Sequence, residues 1–271
     1  VIEQFTYLLF IRRLDETQLL EEKKAAMIKK PVSNVIFTED QKELRWSSFK
    51  NKEPQTMFDL FTKPIVGGIS VFDHMKQVGA ENGVFAKYMT GATFMIPTPR
   101  VLDQVVQMID TIKMEDRDTK GDVYEYLLSK IATAGTNGQF RTPRHIIRMM
   151  VELMKPSLND MIADPAMGSA GFIVESARYI TEHYSNELLK SENQEKFITT
   201  MFSGYDTDQT MLRIGAMNIM LHGVDQPDIK FQDSLSEDNT ANNKFSLILA
   251  NPPFKGSLDY EAVSKDLLAI T

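Results

Sequence analysis

The chain has 271 residues, of which 42% are hydrophobic, which is enough for two domains with substantial cores. It contains no cysteine and only four scattered histidines, which excludes disulfides and a cysteine nucleophile and argues against a metal site. The formal net charge of -7 gives no support for autonomous DNA binding, and no apolar run is long enough to span a membrane. We expect a cytoplasmic protein without a membrane partner.

The first part of the chain is predicted to be helical. Residues 1–27 carry apolar side chains at the period of an amphipathic helix, and residues 57–89 form a second helical region interrupted by glycines. Residues 31–54 are predicted to be a polar connection that contains Trp46. Pro97 and Pro99 mark another helix start, followed by apolar residues at helical spacing: Val101, Val105, Met108, Ile109 and Ile112.

A domain boundary is predicted near residue 135. Residues 121–131 predict one more helix and residues 133–138 a loop of small residues, so we assign residues 1–135 to a helical N-terminal domain and residues 136–271 to an α/β domain. The next helix is predicted over residues 145–154. Thr142 is a favoured N-cap there, and Pro143 is favoured at the first helical position.

Residues 161–180 predict a strand, a turn of small residues and a helix, with glycines where a ligand must approach the backbone closely. Residues 201–206 predict a second strand that ends in Asp206. From that position a carboxylate can bind ribose hydroxyls, although Asp206 could equally cap the following helix. A third strand, over residues 229–234, is predicted to end in an acid as well, Asp233.

Residues 245–254 are the most informative segment. The apolar run over residues 245–250 is typical of a strand buried on both faces of a parallel sheet. Two prolines follow, so Asn251 is expected in a stiff loop past the strand's carboxyl end, where ligands bind in open α/β sheets. The loop could hold a planar base through its amino group while Phe254 stacks on the ring. The alternative is a polar turn with Phe254 merely packed.

Taken in order, these motifs resemble those of the adenine-specific DNA methyltransferases that use S-adenosylmethionine. The turn reads Asp-Pro-Ala-x-Gly-Ser-x-Gly-Phe from Asp164, acids follow the second and third strands, and Asn-Pro-Pro-Phe begins at Asn251. The resemblance is closest to the methylation subunit of type I restriction-modification systems, because residues 121–128 and 138–144 match segments that precede the first strand in that subunit.

The resemblance implies a Rossmann-like, doubly wound α/β sheet preceded by a mostly helical domain. Such methyltransferases continue with further strands, so the sheet is expected to be incomplete here and the fourth strand to be an exposed apolar edge. The implied reaction moves a methyl group from S-adenosylmethionine to the exocyclic amino nitrogen of a flipped adenine. The implied catalytic residues are Asn251, Pro252, Pro253 and Phe254. The implied cofactor-binding residues are Gln139, Phe140, Arg141, Thr142, Pro143, Arg144, Asp164, Gly168, Ser169, Ala170, Gly171, Asp206 and Asp233.

The sequence departs from the family's pattern at Met167, where many relatives have a smaller residue, and at Ala170, often a glycine. We expect Met167 to add bulk close to the cofactor.

The implied partners are double-stranded DNA, a specificity subunit and a second methylation subunit, with a nuclease subunit as a further candidate. Two alternatives stay open. One is methylation of another planar amino group, such as that of cytosine, RNA adenine or protein glutamine. The other is a non-catalytic assembly subunit.

Overall fold

The computed structural model describes residues 2–32, 35–78, 84–112, 142–252 and 263. The described residues divide into two units, one within 1–82 and 89–131 and the other within 83–88 and 132–271. The predicted boundary at residue 135, the helix predicted over residues 121–131 and the loop over residues 133–138 lie outside the described residues and stay predictions. None of the helices in the described ranges is long and apolar enough to cross a membrane.

The first unit is helical, as predicted. Its helices are α1 (Ile2–Ile28), α2 (Trp46–Phe49), α3 (Pro54–Thr62), α4 (Val71–Gln77) and α6 (Pro99–Asp110), with a 3-10 helix at Glu39–Leu44. Helix α5 (Val84–Met89) follows α4 in the chain, but its residues up to Tyr88 belong to the second unit. Helix α6 begins as expected, with Thr98 as N-cap accepting from the amide of Val101. Its buried face is offset from the predicted one and consists of Leu102, Val106 and Ile109.

The prediction of a polar connection over residues 31–54 is wrong. Leu44, Trp46 and Phe49 in this stretch are all buried, and the indole Nε1 of Trp46 donates to Asp110 Oδ1 at 2.9 Å. The stretch looked polar because charged residues surround a few large side chains, and burial depends on those few.

Buried charges of the first unit are paired. Arg45 donates to Asp15 Oδ1 at 2.6 Å and to Glu22 Oε1 at 2.8 Å. Arg12 donates to the carbonyls of Ile109 and Ile112, at the carboxyl end of α6, where helical carbonyls lack partners within the helix. Such pairing is required because an unpaired buried charge costs several kcal/mol, on the order of 3–5.

The second unit contains a parallel sheet with helices, as predicted. Its elements are α7 (Arg144–Met154), β1 (Ile162–Asp164), α8 (Gly171–His183), α9 (Ser191–Thr199), β2 (Phe202–Asp206), α10 (Gln209–Leu221), β3 (Asp228–Phe231) and β4 (Leu247–Ile248). The strand order is β3-β2-β1-β4, and every pairing is parallel.

Strand β4 is half-buried, so the prediction of a strand buried on both faces is wrong. Leu247 and Leu249 are buried, while Ile248 between them is 58% exposed. Among the described strands, β4 pairs with β1 alone and lies at the edge of the sheet. In the part of the chain that the structure describes, Ile248 gives this edge strand the expected exposed apolar side chain.

Met167 packs into the interior of the second unit, and its predicted closeness to the cofactor stays a prediction. Its side chain is buried and fills the space left by two glycines, Gly204 in β2 and Gly215 in α10. A Cβ at Gly204 would stand within contact distance of Met167 Sδ, and one at Gly215 would lie 2.7 Å from Met167 Cε. The large side chain at 167 is matched by these two glycines, which the sequence places far from it.

This packing predicts a strong coupling between positions 167 and 204. Gly204→Ala should lower the free energy of unfolding by about 1–3 kcal/mol through overpacking, and Met167→Ala by about 2–5 kcal/mol through a cavity. In the double variant the new methyl group occupies part of the cavity, so its loss should be smaller than the sum. Urea unfolding of the four proteins measures the difference, and additive losses would contradict the packing.

Candidate active site

The turn after β1 and the loop after β4 lie at the same edge of the sheet. β1 pairs in parallel with β4 on one side, with Ile162 opposite Leu247, and with β2 on the other. The strand order therefore reverses at β1, and ligands of open α/β sheets bind outside the carboxyl ends of strands at such a reversal. Asp164, at the end of β1, and Asn251, shortly after β4, border this position.

The turn between β1 and α8 uses its own backbone amides. Four of them donate to acceptors in the protein at 2.7–3.1 Å: Ala166 to Asp164 Oδ1, Met167 to the Tyr205 carbonyl, Gly168 to Asp206 Oδ2 and Ala170 to the Met167 carbonyl. A phosphate-binding turn keeps such amides for the ligand. This turn is therefore unsuited to a pyrophosphate, despite its glycines.

Two residues of the turn have a left-handed backbone, Gly168 with φ of 50° and Ala170 with φ of 65°. Glycine adopts this conformation freely, whereas alanine pays roughly 1–2 kcal/mol for it. Ala170 is fully buried and forms the N-cap of α8. The departure from glycine at position 170 therefore preserves the turn with some loss of stability.

Asp206 is bound to this turn, and the alternative that it caps α10 is wrong. Its Oδ2 accepts from the amide of Gly168 at 2.9 Å, and its Oδ1 accepts from the amide of Asp208 at 2.8 Å. The N-cap of α10 is Asp208, whose side chain accepts from the amides of Thr210 and Met211. The carboxylate of Asp206 is thus directed to the proposed ligand-binding edge.

The two acids of this edge are poorly solvated. Burial raises the pKa of Asp164 to about 7, against a hydrogen bond from Ala166 that lowers it, and the charge of Asp206 raises it further. Burial also raises the pKa of Asp206, although hydrogen bonds from Asp208 and Gly168 counteract the shift. Two desolvated carboxyls beside one turn favour a cationic ligand over an anionic one.

Strand β3 ends at Phe231, so the prediction that it ends in an acid is wrong. The amide of Gln232 donates to the carbonyl of Asp206, and the chain then turns at Asp233. Asp233 is exposed, and its Oδ1 accepts from the amide of Leu235 at 2.9 Å. Its carboxylate stabilises the loop after β3, and its predicted contact with the cofactor stays a prediction.

A cavity of about 440 Å³ opens at the end of β3 and the start of α10, lined by Lys87, Tyr88, Gln209, Lys230, Phe231 and Gln232. Tyr88 shapes it, because its hydroxyl donates to the carbonyl of Ile229 at 3.0 Å and accepts from the amide of Phe231 at 3.1 Å. No sequence motif indicated Tyr88, because it is more than a hundred residues from β3 in the chain.

Asn251 contacts Thr142 directly, with its Nδ2 donating to Thr142 Oγ1 at 2.8 Å. The prediction that Thr142 is an N-cap is wrong, as is the placement of Pro143 at the first helical position. Helix α7 begins at Arg144, with Pro143 as N-cap and no side-chain cap. The hydroxyl of Thr142 lies one residue too early to cap the helix and binds the loop after β4 instead.

Some of the other predicted site residues lie in the described ranges and some lie outside them. Arg144 lies 3.8 Å from the buried carboxylate of Glu175, which ties α7 to α8, and Pro252 is exposed. Ser169 and Gly171 are half-buried in the turn. Five predicted residues lie outside the described ranges, and their roles stay predictions: Gln139, Phe140, Arg141, Pro253 and Phe254.

Two further side chains support the turn and were missed by the sequence analysis. Asn218 in α10 donates from Nδ2 to the carbonyl of Ser169 at 2.8 Å, and Ser234 donates to the carbonyl of Pro165. Neither residue lies in a recognisable motif. No group of three His, Asp or Glu residues that could hold a metal ion occurs in the part of the chain that the structure describes.

Two family models match this chain. The model of the N-6 DNA methylase matches residues 115–268, more than half of the chain, and that of the HsdM N-terminal domain matches residues 1–109. The chain belongs to the N-6 DNA methylase family. The resemblance inferred from the ordered motifs is thereby confirmed.

Individual relatives of this chain are named as methylase subunits of type I restriction enzymes. It is 30% identical over 225 residues to the StySJI methylase subunit of Salmonella typhimurium, across 78% of this chain and 41% of the relative. Identity to the EcoKI methylase subunit of Escherichia coli K12 is also 30%, with the same coverage. The chain spans about two fifths of the length of these relatives.

Solved structures share the fold of this chain. A protein from Vibrio vulnificus YJ016, named a modification subunit of a type I restriction enzyme, superposes with a TM-score of 0.73 at 24% identity, over 94% of this chain and 55% of that one. A structure from work on the assembly of the type I restriction-modification system gives a TM-score of 0.63 at 24% identity, over 99% of this chain and 55% of that one.

The buried carboxyl of Asp164 predicts a pH dependence of stability. The pKa of Asp164 is raised on folding, so the folded state holds a proton that the unfolded state releases as pH rises above its ordinary value. Stability from this group should therefore be greatest below about pH 4 and fall toward pH 7, with a slope of up to about 1.4 kcal/mol per pH unit.

Asp164→Asn should remove this slope. We expect the difference in unfolding free energy between parent and variant to move in favour of the variant as pH increases from 5 to 7. Urea unfolding followed by circular dichroism at pH 5, 6 and 7 measures this difference. Parallel stability profiles of the two proteins would contradict the shifted pKa.

Proposed function

We propose that this chain is part of a type I DNA adenine methyltransferase, which moves a methyl group from S-adenosylmethionine to the exocyclic amino nitrogen of adenine. Membership of the N-6 DNA methylase family and the names of the relatives support this proposal. One observation carries it. Asn251 follows β4, the parallel neighbour of β1, so its carboxamide stands at the same sheet edge as the acidic turn.

The turn suits S-adenosylmethionine better than a nucleotide with phosphates. Four of its amides are already bonded within the protein, and the poorly solvated carboxyls of Asp164 and Asp206 disfavour a phosphate beside them. S-adenosylmethionine carries a sulfonium and an ammonium group and no phosphate, and its positive charge would favour the ionised forms of these two carboxyls. When bound, it supplies an electrophilic methyl group.

Four of the predicted cofactor-binding residues receive a role from their position. Residues 169–171 would border the methionine end, and Asp206 the ribose. Asp206 can accept hydroxyl donors in addition to the two amides it already binds, because a carboxylate offers about four lone-pair positions. The side chains lining the cavity at the end of β3 offer an adenine base an aromatic surface in Phe231 and amide groups in Gln209 and Gln232.

The target side must make a weak nucleophile reactive. The lone pair of adenine's amino group is delocalised into the ring, and acceptors on both amino hydrogens would restore its density on nitrogen. Asn251 Oδ1 and the main-chain carbonyl of Pro252 can be these two acceptors. As the new carbon–nitrogen bond forms, the bond from the methyl carbon to sulfur breaks, and the amino nitrogen releases one proton to water.

The base must leave the duplex to reach this loop. Enzymes that act on a base take it out of the stack and hold it between apolar or aromatic side chains. Phe254 follows the two prolines and is the candidate for stacking. Pro252 and Pro253 restrict the backbone, so the acceptors keep their places when the base arrives.

The net charge of the chain and the names of its relatives indicate which partners it needs. A net charge of -7 is unsuited to reading DNA alone, since phosphate contacts provide most of the affinity. The relatives are named as methylase subunits of type I restriction enzymes. We infer that a specificity subunit and a second methylation subunit bring double-stranded DNA to the site, with a nuclease subunit as a further partner, and that the complex is cytoplasmic.

Asn251→Ala should abolish methyl transfer while cofactor binding remains. Loss of one preorganised acceptor costs about 10²–10³ in kcat, because it acts where charge develops. The assay uses the full-length chain with its specificity subunit, double-stranded DNA and S-adenosylmethionine labelled in its methyl group. Asn242→Ala, an exposed asparagine in the connection to β4, is the matched control and should keep parental activity. Normal methylation by the Asn251 variant would refute the catalytic assignment.

Asp206→Ala should weaken S-adenosylmethionine binding by about 10-fold or more, since it removes a charged hydrogen-bond acceptor from both ligand and turn. Isothermal titration calorimetry gives the dissociation constant, and Asp238→Ala, in the exposed loop after β3, serves as control. Unchanged affinity in the Asp206 variant would remove this residue from the cofactor site.

The same experiments separate the alternatives. Nucleoside analysis of the methylated DNA distinguishes N6-methyladenine from N4-methylcytosine. RNA and protein substrates in the same assay test the other planar amino groups. If S-adenosylmethionine produces no binding heat with the parent complex, the chain is an assembly subunit and the proposed reaction is wrong.

A further inference from the structure

The carboxamide of Asn251 is held by a residue from a distant part of the chain. Its Nδ2 donates to Thr142 Oγ1 at 2.8 Å, and both side chains are half-buried. Thr142 lies just before α7, whereas Asn251 lies just after β4, and 109 positions separate them in the chain. Both residues belong to the second unit.

We propose that Thr142 is a positioning residue that fixes the orientation of the Asn251 carboxamide. This inference rests on the proposed function, in which Asn251 Oδ1 accepts from the amino group of the target base. A carboxamide has a donor end and an acceptor end, and only one orientation presents its oxygen to an amino group. With Nδ2 bound to Thr142, the oxygen is the end left for the target.

The opposite orientation would be unproductive. It would turn the NH₂ group of Asn251 toward the amino group of the base, so that two donors would face each other. The terminal torsion of asparagine is broad, and without an anchor both orientations are accessible. With Thr142 Oγ1 as the acceptor, the bond to Asn251 Nδ2 holds the carboxamide in the reactive arrangement.

The backbone around Thr142 suits this role. A residue that precedes proline is restricted to extended conformations, and Pro143 itself is fixed, with φ of -58°. The side chain of threonine is also stiff, because it is branched at Cβ. The hydroxyl stands on a rigid support, and helix α7 does not use it as a cap.

This assignment differs from that implied by the family resemblance, which gave Thr142 to the cofactor. A residue that lines the cofactor affects its dissociation constant. A residue that orients Asn251 affects turnover at saturating cofactor and DNA. The two roles are therefore distinguished by which kinetic quantity changes.

Thr142→Val removes the hydroxyl and keeps the branched shape. We expect kcat to fall about three- to tenfold, the usual worth of one neutral hydrogen bond, with the dissociation constant of S-adenosylmethionine and the KM for DNA within twofold of the parent. Thr142→Ser keeps the hydroxyl and should recover kcat to within about twofold. The measurements use the full-length chain with its specificity subunit, and Thr142→Ala replaces the valine variant if that protein unfolds.

The outcomes separate this inference from the proposed function. Full activity of Thr142→Val beside an inactive Asn251→Ala overturns the positioning role and leaves the reaction in place. A weaker affinity for S-adenosylmethionine in Thr142→Val, with kcat unchanged, would show that Thr142 binds the cofactor. This result also overturns the positioning role. Normal activity of Asn251→Ala refutes the reaction itself and the positioning role with it.

Discussion

The parallel pairing of β1 with β4 is the constraint on which the candidate site depends. β1 is central, with β2 on one side and β4 on the other, so the loops after β1 and β4 leave the sheet at the same edge. A cofactor on the first loop and a base on the second can then approach within the reach of a methyl group. An antiparallel β4 would have sent Asn251 to the opposite edge.

Hydrogen bonds and packing from distant segments hold each loop in place. The turn after β1 binds Asp206 from β2 and Asn218 from α10, while Met167 fills the space above two glycines. The loop after β4 binds Thr142. Burial raises the pKa of both Asp164 and Asp206, and a positively charged ligand at this edge would favour their ionised forms.

Local signals predicted most of the fold. Helices and strands follow from the period of apolar residues and from breakers, which act over a few positions. Most elements were therefore predicted with small errors at the ends, whereas α2, α9 and the 3-10 helix at Glu39–Leu44 were not predicted. The four strands, the turn at Gly168 and the placement of Asn251 after β4 were read this way. The errors at the ends had consequences, since β3 stops before Asp233 and α7 begins after Thr142.

The sequence by itself determined the residue types of the site and the order in which they occur, because these are properties of neighbouring residues. Only the tertiary structure decided which distant groups meet. In the folded chain Met167 is buried against two glycines and Ile248 is exposed. Tyr88 is hydrogen-bonded to β3, and the hydroxyl of Thr142 accepts from Asn251. Each of these depends on contacts between residues far apart in the chain, where no periodicity or motif spacing carries information.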